Sequence, residues 1–318
     1  MTGYLIRRLA ETTGMLLLLS FAIYALIGLM PGDPVDLMLS ANPDMTSEDA
    51  QRLKALHGLD RPLIDRYALW LSGAIQGDFG YSRLYGQPSL QVLVPRLVNT
   101  LWLLGTSFVL ALAIAIPAGV IAARRPGGLL DGTINLLAFA GFSMPSFWLG
   151  LLLIILFSVE LGWLPAGGVQ SLDGGGIADR LRYMILPVMT LTALSAGTFV
   201  RFVRASMIEA LREDYIRTAR AKGCSENRVV WRHALANAAI PVITVTALHL
   251  GSLLSGALVV ETMFAYLGMG KLIYDSIMGN DFNLALAALM LAATVTLLAN
   301  LLADLLYAWL DPRIDYAD

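Results

Sequence analysis

Six stretches of this chain run long enough without Asp, Glu, Lys or Arg to cross a lipid bilayer: residues 12–30, 97–123, 132–159, 183–200, 234–260 and 282–303. About 20 apolar residues in a helix cover the roughly 30 Å of hydrocarbon. A helix is the form expected for each run, because it satisfies its own backbone hydrogen bonds where no water is present. The composition agrees, with 57% hydrophobic and 14% charged residues and a mean hydropathy of +0.67, far more apolar than a soluble domain of this length. The expected fold class is therefore an all-α membrane protein with six transmembrane helices. The first run follows Arg7 and Arg8 and superficially resembles a signal peptide. Its length and the five runs after it mark it as a retained helix.

The net charge of −2 says little, because in such a chain the position of each charge matters more than the sum. With a cytoplasmic N-terminus, thirteen of the 22 basic residues fall inside, and six of the remaining nine lie in the long first loop, where the rule has least force. Both termini are expected on the cytoplasmic side. The lone cysteine, Cys224, excludes an intrachain disulfide and a thiolate metal cluster.

The connecting segments differ in character. Residues 31–34, PGDP, stop the first helix, and the loop that follows to Arg96 is too long for a simple connection. Short helices are expected over residues 47–57 and 61–75, as a small external subdomain or, alternatively, a solvated spacer. The expected organisation is an N-terminal helix over 1–30, this external subdomain over 31–96, a core of five spans over 97–310 and a tail over 311–318. The basic turn at 124–128 reads as an orientation anchor. Pro145 is expected to kink the third span, as the lining of a cavity or as an ordinary feature of a membrane helix. His249 lies within an apolar run, where an ionisable group is costly. With Ser252 and Gly256 it falls on one helical face, either as a neutral histidine bonded to a neighbouring helix or as a pathway or metal contact. Asp304 is expected to pair with Arg201 or Arg204.

Between residues 209 and 236 the chain turns strongly polar. Asp214 to Lys222 has good helix propensity, Gly223 suits a left-handed cap, and Ser225 can start a second helix toward the fifth span. The expected form is a helix, a sharp turn and a helix, projecting Tyr215, Ala219 and the arginines into the cytoplasm as a docking surface. A loop that merely obeys the positive-inside rule is the simpler alternative.

Here the chain resembles a known family. RTARAKG at 217–223, with HAL beginning ten residues after the glycine, is similar to the coupling loop of ABC importer permeases. DYIRTARAKG, the N-terminal YLIRRL with PGDP, SMPSFW and the C-terminal NLLADLLYAWLDPRI resemble the B-type permease of dipeptide, oligopeptide and nickel importers. Arg217 and Thr218 stand where the general pattern has Glu and Ala, and Ala236 stands where many permeases have proline.

The resemblance implies the ABC importer permease fold and half of a translocation pathway for di- or oligopeptides, with nickel or a metal chelate as the alternative. It implies a homologous second permease, two ATPase subunits, an external substrate-binding protein and surrounding membrane lipid as partners, and no nucleic acid. ATP and Mg are expected at the ATPases and no cofactor on this chain. Coupling to the ATPases would run through Asp214, Tyr215, Arg217, Thr218, Ala219, Arg220 and Gly223, and the pathway would include Pro145, His249, Ser252 and Gly256.

The chain is not expected to be an enzyme. GMGK at 268–271 has Ala265 and Leu272 where a phosphate loop requires Gly and Ser or Thr. An ion-coupled secondary transporter would need acids inside the spans, and an intramembrane enzyme would need a carboxylate pair or an activated nucleophile there. The runs supply neither.

Overall fold

The computed structural model describes residues 2–29, 49, 52, 55, 61–172 and 174–310, with side chains for all of these except 2–5, 240, 247–256 and 306–310. The expected PGDP stop and the 311–318 tail lie outside the described residues, and of the helix expected over 47–57 only residues 49, 52 and 55 are described, all three helical. The chain divides into two compact units, Met1–Val98 with Lys271–Leu297, and Asn99–Gly270 with Leu298–Asp318.

In the first unit, α1 (Thr2–Gly28) packs against α2 (Leu63–Ile75) through aromatic rings. Phe21 and Tyr24 meet Tyr67 edge-on at 5.2 and 5.7 Å, and the Tyr67 hydroxyl lies 2.5 Å from Ser20 Oγ. A two-stranded hairpin, β1 (Tyr81–Ser82) and β2 (Gln87–Pro88), leads into α3 (Ser89–Arg124). It is tied down by buried Asp281, which accepts hydrogen bonds from Ser82 Oγ at 2.6 Å and the Leu84 amide at 3.0 Å. Asp281 also accepts from the Leu284 amide, at 3.2 Å, and so caps the helix that begins at Phe282.

The second unit is built around α6 (Gly176–Ala210), which packs against α4 (Leu129–Ser143) and against α9 (Leu235–Met263). The most apolar window of α6 is 67% buried, against 11% for α1, so α6 is a core element while most of the α1 window is not buried within the chain. Its helix runs well past both ends of the uncharged stretch 183–200. Close approach to α4 depends on two glycines: a Cβ on Gly141 would lie 2.7 Å from the Ala193 carbonyl oxygen, and one on Gly197 would collide with the Ala138 carbonyl oxygen.

Pro145 does more than kink its span. Helix α4 ends at Ser143 and α5 (Ser146–Leu153) begins after Pro145, the two segments meeting at 104°. The residue before a proline avoids the helical region, and Met144 accordingly takes φ −78°, ψ 133°. A π-helical stretch, Ile154–Glu160, completes α5.

Among the described residues, Ile6–Gly28, Ser89–Arg124, Gly176–Ala210 and Phe282–Leu305 are long and apolar enough to span a membrane, and the bent pair counts as a fifth span if taken together. Helix α9 is 29 residues long and occupies the expected fifth run. The remaining helices are α7 (Asp214–Ala221), α8 (Glu226–Arg228), α10 (Met269–Met278) and α11 (Phe282–Leu310).

Candidate coupling site

Helix α7 starts where Glu213 adopts an extended conformation, φ −69°, ψ 152°. Asp214 sits in its first turn and Arg220 in its last, each at the end of the helix dipole that favours its charge. The helix stops as expected at Gly223, whose φ of +76° is the left-handed conformation a glycine adopts without a Cβ clash. The Gly223 amide bonds to the Arg220 carbonyl at 2.9 Å and the Cys224 amide to the Ala219 carbonyl at 3.2 Å, which is the Schellman pattern.

Ser225 occupies the start of the next helix, but its side chain makes no capping bond. Its backbone carbonyl accepts the Val229 amide at 3.0 Å instead. From α8 the chain continues through a π-helical segment, Val229–Ala234, into α9, so the turn at Gly223 is followed by a helical path toward the expected fifth span.

One expectation is overturned. Ala219 does not project outward; it is buried, as is Ile216, in a cluster with Val120, Met207, Val230 and Ala234. The reason is helical periodicity: Ile216 and Ala219 are three apart, form the apolar face of α7 and seat it against the ends of α3 and α6 and the π-helical segment. Tyr215, Arg217, Thr218 and Lys222 form the exposed face. Thr218 Oγ1 bonds to the Asp214 carbonyl at 3.1 Å, and Arg217 pairs with Asp214 at 2.9 Å.

Arg220 reaches across the turn to Glu226. The guanidinium holds the Glu226 carboxyl below the usual carboxylate range, and the carboxylate in turn raises Arg220. Burial, reinforced by Glu213, pushes the Tyr215 phenol up.

Arg204 is held by an acid of α4. It forms a two-bond fork on Asp131, at 2.5 and 2.7 Å, and Asp131 also accepts from the Gly127 amide at 2.8 Å and Asn135 Nδ2 at 2.6 Å. Asp131 lies just outside the uncharged third run, so a search confined to the spans passes over it. An acid in the first turn of a helix behind a basic turn is the signal that could have found it.

Glu261 likewise lies just outside an uncharged run, that of residues 234–260. Its buried carboxylate accepts hydrogen bonds from Thr100 Oγ1 at 2.6 Å and the Gly270 amide at 2.7 Å, and Thr100 Oγ1 receives the Met269 amide at 2.8 Å. A Cβ on Gly268 would strike the same carboxylate. The GMGK segment thus wraps an acid of the chain itself at the start of α10. Of the expected pathway residues, Pro145 stands at the break between α4 and α5, while His249, Ser252 and Gly256 lie on α9 with side chains outside the described set.

The family described as "Binding-protein-dependent transport system inner membrane component" matches residues 115–316, and its N-terminal membrane-component family matches residues 1–102. The chain is 41% identical over 318 residues to the oligopeptide transport system permease protein AppB of Bacillus subtilis (strain 168), covering 99% of this chain and 100% of that one. It is 40% identical over 316 residues to the glutathione transport system permease protein GsiC of Escherichia coli (strain K12), again covering 99% and 100%. Its fold is similar to the MetNI methionine ABC transporter in inward-facing conformations, with a TM-score of 0.57 and 19% identity over 70% of this chain and 97% of that one. The all-α architecture is the ABC importer permease type, and the chain belongs to the inner-membrane permease components of binding-protein-dependent transport systems.

Proposed function

We propose that this chain is one of two homologous permease subunits of an ATP-driven importer for peptide-type substrates, working with two ATPase subunits and an external binding protein. ATP and Mg act at the ATPases, and both chain termini face the cytoplasm. The substrate class rests on the oligopeptide and glutathione permeases to which the chain is similar, and these favour peptides over nickel.

The observation that carries the coupling role is the seating of α7. Its exposed face offers Tyr215, Arg217 and Thr218 to a partner, while Ile216 and Ala219 lock the opposite face into a cluster shared with α3, α6 and the π-helical segment. A displacement of α7 by closing ATPases is therefore passed to helices of the pathway as a rigid-body motion rather than lost in a loop.

The test uses the complete importer. Tyr215→Ala combined with Arg217→Glu, both on the exposed face, should release the ATPases in co-purification and lower uptake of a labelled peptide about tenfold or more, as expected when interface anchors are removed. ATPases retained at full yield with uptake unchanged would remove the basis of this reading.

A further inference from the structure

A cavity of about 820 Å³ opens beside the coupling segment, lined by Arg124 and Arg125 from the basic turn, Arg212, Arg220 and Glu226. Sequence separates the two halves of this lining by 78 residues, from Leu130 to Ile208, and the basic turn alone reads as a mere orientation anchor. The fold gives it a second property: four guanidinium groups and one carboxylate share a single hollow.

Two of the four arginines are already committed. Arg124 donates to Asn227 Oδ1 at 2.7 Å, and Arg220 is forked on Glu226. Arg125 and Arg212 form no side-chain hydrogen bond or ion pair among the described residues. Beside them the lining includes Leu129 and Leu130, 92% and 68% exposed, on the first turn of α4. A pair of uncommitted arginines next to bare leucines, at the junction of two candidate membrane segments, matches a molecule with an anionic head and an apolar tail.

We propose that this cavity binds the phosphate of an anionic glycerophospholipid of the cytoplasmic leaflet. Arg125 and Arg212 take the phosphate oxygens, and Leu129 and Leu130 lie against the acyl chains. Guanidinium forks are suited to phosphate, and the apolar contact distinguishes a lipid from a free anion. Because Arg220 lines the same cavity and belongs to α7, a bound lipid sits against the coupling helix and supports its position. The inference rests on the cytoplasmic placement of this segment proposed above.

The experiment is native mass spectrometry of the complete importer released from nanodiscs of phosphatidylcholine with phosphatidylglycerol. The wild-type complex should retain phosphatidylglycerol. Arg125→Gln combined with Arg212→Gln should retain about tenfold less or lower still, in line with the worth of basic residues near an anionic surface. Arg228→Gln combined with Arg232→Gln makes the same charge change outside the cavity and should retain the lipid normally.

Equal retention by all three proteins would overturn the proposal. So would displacement of the lipid by inorganic phosphate, which would make the cavity a simple anion site. Loss of the ATPase subunits from the Arg125/Arg212 variant in every lipid would assign the groove to the ATPase and likewise overturn it. The Tyr215 and Arg217 variants report on coupling separately, so the two readings fail independently.

Discussion

Arg220 and Glu226 hold each other across the Gly223 turn by two charge-assisted hydrogen bonds, Nη2 to Oε1 at 2.7 Å and Nε to Oε2 at 3.1 Å. The pair clips α7 to the start of the helical path that follows it. Because Glu226 is held below its ordinary range, the contribution of the pair is complete above the unfolded carboxyl value, near 4.5, and is lost as pH falls through the lowered folded value. Its strength is therefore constant around neutral pH. Both groups are well exposed, so Glu226→Gln should cost less than about 1 kcal/mol. The apparent melting temperature of the purified importer at neutral pH should barely move, and the variant should remove any part of its acid sensitivity that comes from this pair.

The turn itself is less tolerant. At φ +76° a β-branched residue is strained, and Gly223→Val should cost about 1–2 kcal/mol locally, while Gly223→Asn should be milder. Ala219→Leu adds volume to a closed cluster and should cost about 1–3 kcal/mol. Both Gly223→Val and Ala219→Leu are expected to keep ATP hydrolysis while reducing peptide transported per ATP, measured with reconstituted importer.

The Asp131–Arg204 fork is more deeply held. The Asp131 side chain is 5% exposed and that of Arg204 26%. Removing one partner of a buried pair typically costs about 3–5 kcal/mol, and the partial exposure of Arg204 places Arg204→Ala toward the low end. Membrane yield and apparent melting temperature should fall for Arg204→Ala and for Asp131→Ala. The conservative Asp131→Asn should lose less, because it retains an acceptor for the Gly127 amide.

For Glu261 the readout is local. Glu261→Ala leaves the Gly270 amide and Thr100 without their acceptor, at about 1–3 kcal/mol for each buried group left unsatisfied. Hydrogen exchange should accelerate at Gly270 and Met269 well before the amides in the middle of α6 respond.

Much of this architecture is legible in the order of residues, because the bilayer acts as a solvent with one dominant rule. Uncharged length located the helices, and Gly223 declared its cap through its position after a good helix-forming run. Ala219 is legible too, because its three-residue spacing from Ile216 puts both on one apolar face of a helix. The Arg204 partner was not, since Asp131 lies 73 residues away and only packing of α4 on α6 joins them. A proline announces a break at Met144 and Pro145 but not its 104° angle, which depends on what the two segments pack against. The role of Glu261 emerges only when the amides at the start of α10 fold back toward α3. A sequence shows that a charge needs a partner, not which one the fold brings near.

The measurement that bears most directly on the coupling role of α7 is site-directed cross-linking to the ATPase. With the natural Cys224 replaced by serine, single cysteines at Arg217, Thr218 and Ile216 would be compared in membranes containing the whole importer. The exposed positions, Arg217→Cys and Thr218→Cys, should cross-link to an ATPase subunit, while Ile216→Cys, fully buried in the cluster beneath α7, should not. Cross-linking from Ile216→Cys as efficient as from the exposed face, or none from any of the three, would contradict it.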